Sequence, residues 1–154
     1  MSTLSFVKTA RAKGSREIGF LYWEGERYRV VTGGYGKGAI PDGEFTIRVR
    51  QVAVGTKENM LSGFVNPLNG RGWFIPLTPN FATSRFGFGI HPDGNLPGTK
   101  GCLGLQGNDT EKFWKRWCET KIDSRPTLLQ VTTDYASKET SCRVCVAQIA
   151  TATA

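Results

Sequence analysis

Between Phe20 and Thr32 an apolar stretch, Phe20-Leu21-Tyr22-Trp23, is followed by Glu24-Gly25-Glu26 and then by the alternating Arg27-Tyr28-Arg29-Val30-Val31-Thr32. Two such runs either side of a turn predict a β-hairpin. A glycine-rich link, residues 33–38, leads to the turn Ala39-Ile40-Pro41-Asp42-Gly43. From Glu44 to Val54 the pattern alternates, with Phe45, Ile47 and Val49 on one face and Thr46, Arg48 and Arg50 on the other. That is the period of a half-buried strand.

Thr56 to Arg71 is polar and broken by Gly and Pro, so a loop is expected there, followed by a short strand from Gly72 to Leu77 that Pro76 and Pro79 bring to an end. Alternation returns at Arg85 to His91, with Phe86, Phe88 and Ile90 pointing one way and Arg85, Gly87, Gly89 and His91 the other. Pro92-Asp93-Gly94-Asn95 and Pro97-Gly98 are turn sequences. Beyond them Leu103 and Leu105 share one face, and Cys102, Gly104 and Gln106 share the opposite one.

Asn108-Asp109-Thr110-Glu111 has the form of a capping box, with Asn108 as N-cap. The spacing of Phe113, Trp114, Trp117 and Cys118 predicts one short amphipathic helix over about 108–120. Thr127 to Tyr135 reads as a final core strand, and Cys142 to Ile149 as one more. The elements add up to one mainly β domain over 1–154, with its core in about 20–135 and no internal repeat.

Length agrees with this: 154 residues make one domain able to bury about two thirds of the surface the unfolded chain exposes. Nineteen Gly, seven Pro and nine Phe favour short strands joined by tight turns. Lys and Arg exceed Asp and Glu by 20 to 13, a net charge of +7. Such a surface attracts polyanions such as wall polymers, anionic lipid or nucleic acid, or simply keeps the protein in solution. Basic runs interleaved with aromatics and basic recognition helices are missing from the sequence, so nucleic acid is not expected as a partner. Met1 to Gly19 has no continuous apolar stretch of the kind a secretory signal or membrane span needs. The expectation is a monomer made without a signal peptide and with no membrane span.

Four cysteines and one histidine bound the chemistry. Cys142 and Cys145 form a C-x-x-C with no second Cys/His pair to complete a zinc site, so no metal or other cofactor is implied, and the pair reads as strand or tail residues able to oxidise. Cys102 follows His91 by eleven residues, each on the polar side of its strand. A free thiol has a pKa near 8.5 and becomes a good nucleophile when an imidazole takes or shares its proton. His91 is then the base and Cys102 the nucleophile, with the backbone N–H groups of Gly101 and Cys102 as oxyanion donors. The plainer alternative is a buried structural cysteine beside a satisfied histidine. Asp93 either orients the imidazole or serves only its turn.

Ile90-His91, the Gly-rich loop and Thr99-Lys100-Gly101-Cys102-Leu103 resemble the active-site stretch of YkuD-type L,D-transpeptidases, in which a histidine precedes an [S/T]-x-G-C-hydrophobic segment. Upstream, residues 39–47 are similar to the family's Thr-Pro-x-Gly-x-Phe/Tyr-x-Ile strand, and the match spans about 20–135. The short gap from His to Cys is more like that of cell-wall-targeting effectors delivered by type VI secretion. Lys100 stands where most members have a second histidine, and Gly104 where many have a substrate-binding arginine.

The resemblance implies a YkuD-like β-sandwich or meander with one short helix. It also implies attack by Cys102 on an L-centre followed by a D-residue in a peptidoglycan stem peptide. Hydrolysis of the thioester makes the enzyme an L,D-carboxypeptidase or endopeptidase; transfer to an amine makes it a transpeptidase. Arg85, Thr99, Lys100, Trp73 and Gly104 are the expected substrate-side residues. A wall-damaging role, as an injected effector with a cognate immunity protein or as a phage lysis enzyme, places its action in the periplasm or cell wall after delivery. The alternatives are a cysteine amidase of other specificity and a non-catalytic wall-binding or phage structural module.

Overall fold

In the computed structural model, which describes residues 2–36, 38–94 and 98–135, nine strands and one α-helix follow in order. They are β1 (Thr3–Arg11), β2 (Arg16–Trp23), β3 (Glu26–Gly33), β4 (Gly43–Ile47), β5 (Ala53–Thr56), β6 (Arg71–Pro79), β7 (Gly89–Pro92), β8 (Leu103–Leu105), α1 (Asp109–Glu119) and β9 (Leu128–Thr133). The protein is thus mainly β with one helix. Eight strands pair in the order β4-β9-β1-β2-β3-β8-β7-β6, and β6 returns to pair with β4, closing a barrel-like ring that leaves β5 outside on the far edge of β6. Two neighbours are parallel, β1 with β9 and β7 with β8. No described helix is long and apolar enough to cross a membrane.

The β2–β3 hairpin has Trp23 opposite Glu26. Its two-residue turn holds Glu24 at φ 45° and Gly25 at φ 88°. Two successive positive φ angles match the twist of the flanking strands, which is why a glycine sits there. Alternate residues from the ring, among them Leu4, Phe6, Leu21, Val30, Phe45, Ile75, Ile90, Leu103 and Leu129, are buried in one hydrophobic cluster. Phe113 and Trp117 of α1 join it beside Trp23, and Arg116 fixes the helix to the hairpin by donating to Trp23 O at 2.6 Å and lying 4.2 Å over the Trp23 ring.

Several elements differ from the pattern. β1 was not expected, because its buried Leu4, Phe6 and Lys8 sit in a stretch of Ser, Thr and Lys; Lys8 is satisfied by Ile40 O at 2.7 Å and Asp42 at 3.0 Å. The core therefore begins well before residue 20. Glu44 to Val54 is two strands, β4 and β5, since Gln51 N turns back onto Arg48 O. Pro76 does not end β6 but lies within it opposite Gly89, its carbonyl accepting from Arg48 N.

Arg85 to Phe88 is not a strand. Gly87 at φ 80° breaks the run, and Phe86 is 87% exposed instead of buried with Phe88. Asn108 makes no side-chain cap, Glu111 accepts from Asn69 Nδ2, and Cys118 is exposed, so the buried stripe of α1 is Thr110, Phe113 and Trp117. The C-x-x-C and the strand expected at Cys142 to Ile149 lie outside the described residues.

Candidate active site

The parallel pair β7–β8 sets His91 opposite Gly104. Cys102 lies two residues before Gly104 and so projects from the same face as His91. Both line a cleft of about 370 Å³, with Tyr35, Leu61, Phe64 and Lys100 among its walls. The connection between them is a crossover, not the tight hairpin-like loop the turn residues evoke, because the two strands run the same way.

His91 is only 4% exposed, with its ring centroid 4.7 Å from Phe64 and stacked 5.8 Å from Phe74 at 15°. Nδ1 lies 2.6 Å from Pro92 O. A carbonyl only accepts, so Nδ1 carries the proton and Nε2 keeps its lone pair. Burial pushes the imidazole pKa down to about 4 against the opposing pull of the Pro92 carbonyl. The ring is neutral over the physiological range and able to receive a proton at Nε2.

Cys102 is 8% exposed. Burial raises its thiol to about 11, opposed by the Gly89 amide and the charge of Arg85. Sγ donates to Gly87 O at 3.4 Å and not to the imidazole. The resting pair is therefore neutral thiol and neutral imidazole, not a preformed thiolate-imidazolium. Chemistry by this pair requires the proton to leave Sγ as the thiol turns toward Nε2 during attack.

Thr99 builds the loop that presents the thiol. Its buried Oγ1 donates to Cys102 O at 2.7 Å and accepts from Gly101 N at 3.1 Å and Gly33 N at 3.2 Å. Its backbone pairs with the glycine-rich link, Thr99 N donating to Gly33 O at 2.7 Å. A Cβ on Gly98 would come 2.6 Å from Gly33 O. The glycine at 98 is what lets these two segments approach.

The sequence-derived assignments divide accordingly. Cys102 and His91 share the cleft. Of the two expected oxyanion donors, the Gly101 amide is already bonded to Thr99 Oγ1, whereas the Cys102 amide has no partner among the described residues. Thr99, expected on the substrate side, has its hydroxyl committed to Cys102 O and to the Gly101 and Gly33 amides, and so shapes the loop. Asp93 lines the cleft but does not orient the ring: it accepts from Gln106 Nε2 at 2.8 Å and Gly98 N at 3.4 Å, while Pro92 O holds the imidazole. Burial leaves its carboxyl above the usual range despite those bonds and the charge of Arg16.

Lys100 is exposed at the cleft wall. Trp73 is 1% exposed in the core, stacked on Trp114 at 4.7 Å, so its neighbour Phe74 is the residue of β6 that faces the site. Gly104 is buried, and a Cβ there would meet Asp93 Cβ at 3.0 Å, so no larger side chain reaches substrate from that position. Arg85 is tied to backbone carbonyls behind the thiol.

Phe64 and Phe74 were not singled out because Phe64 lies in an expected loop and nothing in Trp73-Phe74-Ile75 says which side chain meets the histidine; the sequence carries no signal for either. Among the described residues no group of three or more His, Cys, Asp or Glu is placed to hold a metal. Comparison of the chain with protein-family models, with curated proteins and with solved structures finds no match.

Proposed function

We propose that the protein is a cysteine-nucleophile enzyme of the L,D-transpeptidase type acting on peptidoglycan stem peptides. The observation that carries the reading is one imidazole on β7 and one thiol just before β8 lining one cleft, with the imidazole Nδ1 fixed by a carbonyl and Nε2 left to accept a proton. The resemblance of residues 90–103 to the YkuD active-site stretch supplies the substrate class, and the barrel-like ring is taken as that family's strand arrangement.

In the first half-reaction the thiol proton of Cys102 passes to His91 Nε2 while Sγ attacks the carbonyl of the L-centre. The carbon-nitrogen bond to the D-residue breaks, the leaving amine takes the proton from His91, and a thioester remains on Cys102. Water or an amine then attacks the thioester, passing a proton through His91 to the departing sulfur. The Cys102 amide stabilises both oxyanions.

The wall-damaging role, delivery to the periplasm or cell wall, a cognate immunity protein and a monomeric state belong to the same proposal. The bond from Cys102 to Gly87 O favours a second reading, a non-catalytic module. Purified murein and tetrapeptide incubated with wild type and Cys102→Ser separate the two by mass spectrometry. Loss of the terminal D-residue or a crosslink with wild type alone is expected; no mass change with either leaves the enzyme reading without support.

A further inference from the structure

The guanidinium of Arg85 sits where the cleft's two loops converge. Nη1 donates to Ala39 O at 2.9 Å, and Nη2 donates to Gly38 O at 3.1 Å and Lys100 O at 3.4 Å. The guanidinium also lies 5.2 Å from the centroid of the Phe88 ring. No carboxylate among the described residues pairs with it, so its charge is uncancelled by a counterion in a half-buried setting where screening is weak. Gly101, between Lys100 and the nucleophile, adopts φ 120°, and any Cβ there would collide with Arg85 Nη2. The backbone angle alone calls for glycine at 101, and a side chain there would also push the Arg85 head group from its place.

We propose that Arg85 is the positioning residue of Cys102, tying residues 38–39 to the 100–102 loop and holding a positive charge behind the thiol so that the thiolate forms more easily. This goes beyond the reaction assigned above and does not depend on it. The other charged or titratable groups facing Cys102 are His91 from β7, Asp93 after it, Tyr35 from the glycine-rich link and Lys100 on the same loop. Of these His91 is neutral, Asp93 is held by Gln106, and Lys100 is solvated. The influence of Arg85 on the thiol is in the expected direction, since it opposes the effect of burial.

One planar group reaches three carbonyls from two segments; a lysine would keep the charge beside the loop while giving up part of that fork. The closing experiment measures alkylation of Cys102 by iodoacetamide from pH 7 to 9.5 in the full chain carrying Cys118→Ser, Cys142→Ser and Cys145→Ser. The variants Arg85→Gln and Arg85→Lys are compared with that background, and circular dichroism monitors folding. An opposite charge within a few ångströms shifts a thiol by about one pKa unit or more, so Arg85→Gln is expected to react about tenfold more slowly at pH 8.5, with Arg85→Lys recovering most of the rate.

An unchanged rate in Arg85→Gln overturns the proposal. So does an equal loss in both variants, since a loss indifferent to charge is what simple collapse of the loop gives. Should Arg85→Gln not fold, the pH profile of Arg85→Lys decides: one close to the parent's supports the proposal, and one displaced upward by a full unit overturns it. The reading is of the thiol alone, so it stands or falls separately from any result with murein.

Discussion

Acid should weaken this protein through its single histidine, by an amount the structure sets. Burial holds His91 at about 4 when folded against an ordinary 6.5, so above pH 6.5 the ring is neutral in both states and its contribution is complete. As pH falls the unfolded chain takes up the proton first, and stability is lost progressively until pH passes 4, below which the loss is constant. At about 1.4 kcal/mol for each tenfold in proton affinity, the loss between pH 7.5 and 4 is about 3 kcal/mol, a large part of a domain's total stability.

Carboxylates titrate in the same window, so the measurement is a difference. Urea unfolding of wild type and His91→Gln is followed by tryptophan fluorescence at both pH values. The glutamine amide can still donate to Pro92 O but does not titrate. Wild type is expected to lose about 3 kcal/mol more than the variant over this interval. Equal losses would mean that His91 titrates as it would in water, and the account of a neutral, aromatic-walled base would be wrong.

Asp93→Asn is expected to leave turnover on tetrapeptide within about threefold of wild type, because Pro92 O and not Asp93 holds the imidazole, whereas His91→Ala abolishes it; steady-state kinetics on both variants checks this. Thr99→Val leaves the Gly101 and Gly33 amides without their acceptor and should cost about 2 kcal/mol or more in urea unfolding, while Thr99→Ser costs less than half as much. Trp73→Ala should lower stability by about 3–5 kcal/mol without altering the pH dependence of Cys102 alkylation, since it removes core and not cleft; unfolding and alkylation measured on the same sample test both halves.

The hairpin, the helix, the last strand and the placing of His91 and Cys102 along one cleft could be read from the chain because each rests on local periodicity. What was missed is non-local. β1 is held by β2 on one side and by β9, more than a hundred residues later, on the other, and no local pattern announces a buried lysine satisfied by Ile40 O and Asp42. Alternation through Arg85 to Ile90 gave the right face for Phe88 and Ile90 but could not register that Gly87 leaves the extended region. Trp73 and Phe74 are adjacent aromatics, and only the register with β5 and β7 decides which meets the histidine. The occupied Gly101 amide followed from a hydroxyl two residues away that the sequence offered as a substrate contact.

The parallel seam between β1 and β9 has a bearing on how the molecule is made. The segment synthesised first finds its neighbour on one side at once but must wait for residues 128–133 to leave the ribosome before the other side is covered. Until then Leu4 and Phe6 lack the Leu129 and Val131 layer, and β4 is paired on its β6 side alone. Completion therefore comes late and slowly, as pairings of high sequence separation dictate. A polypeptide stalled short of Leu128 should be a ready target for chaperones and proteases.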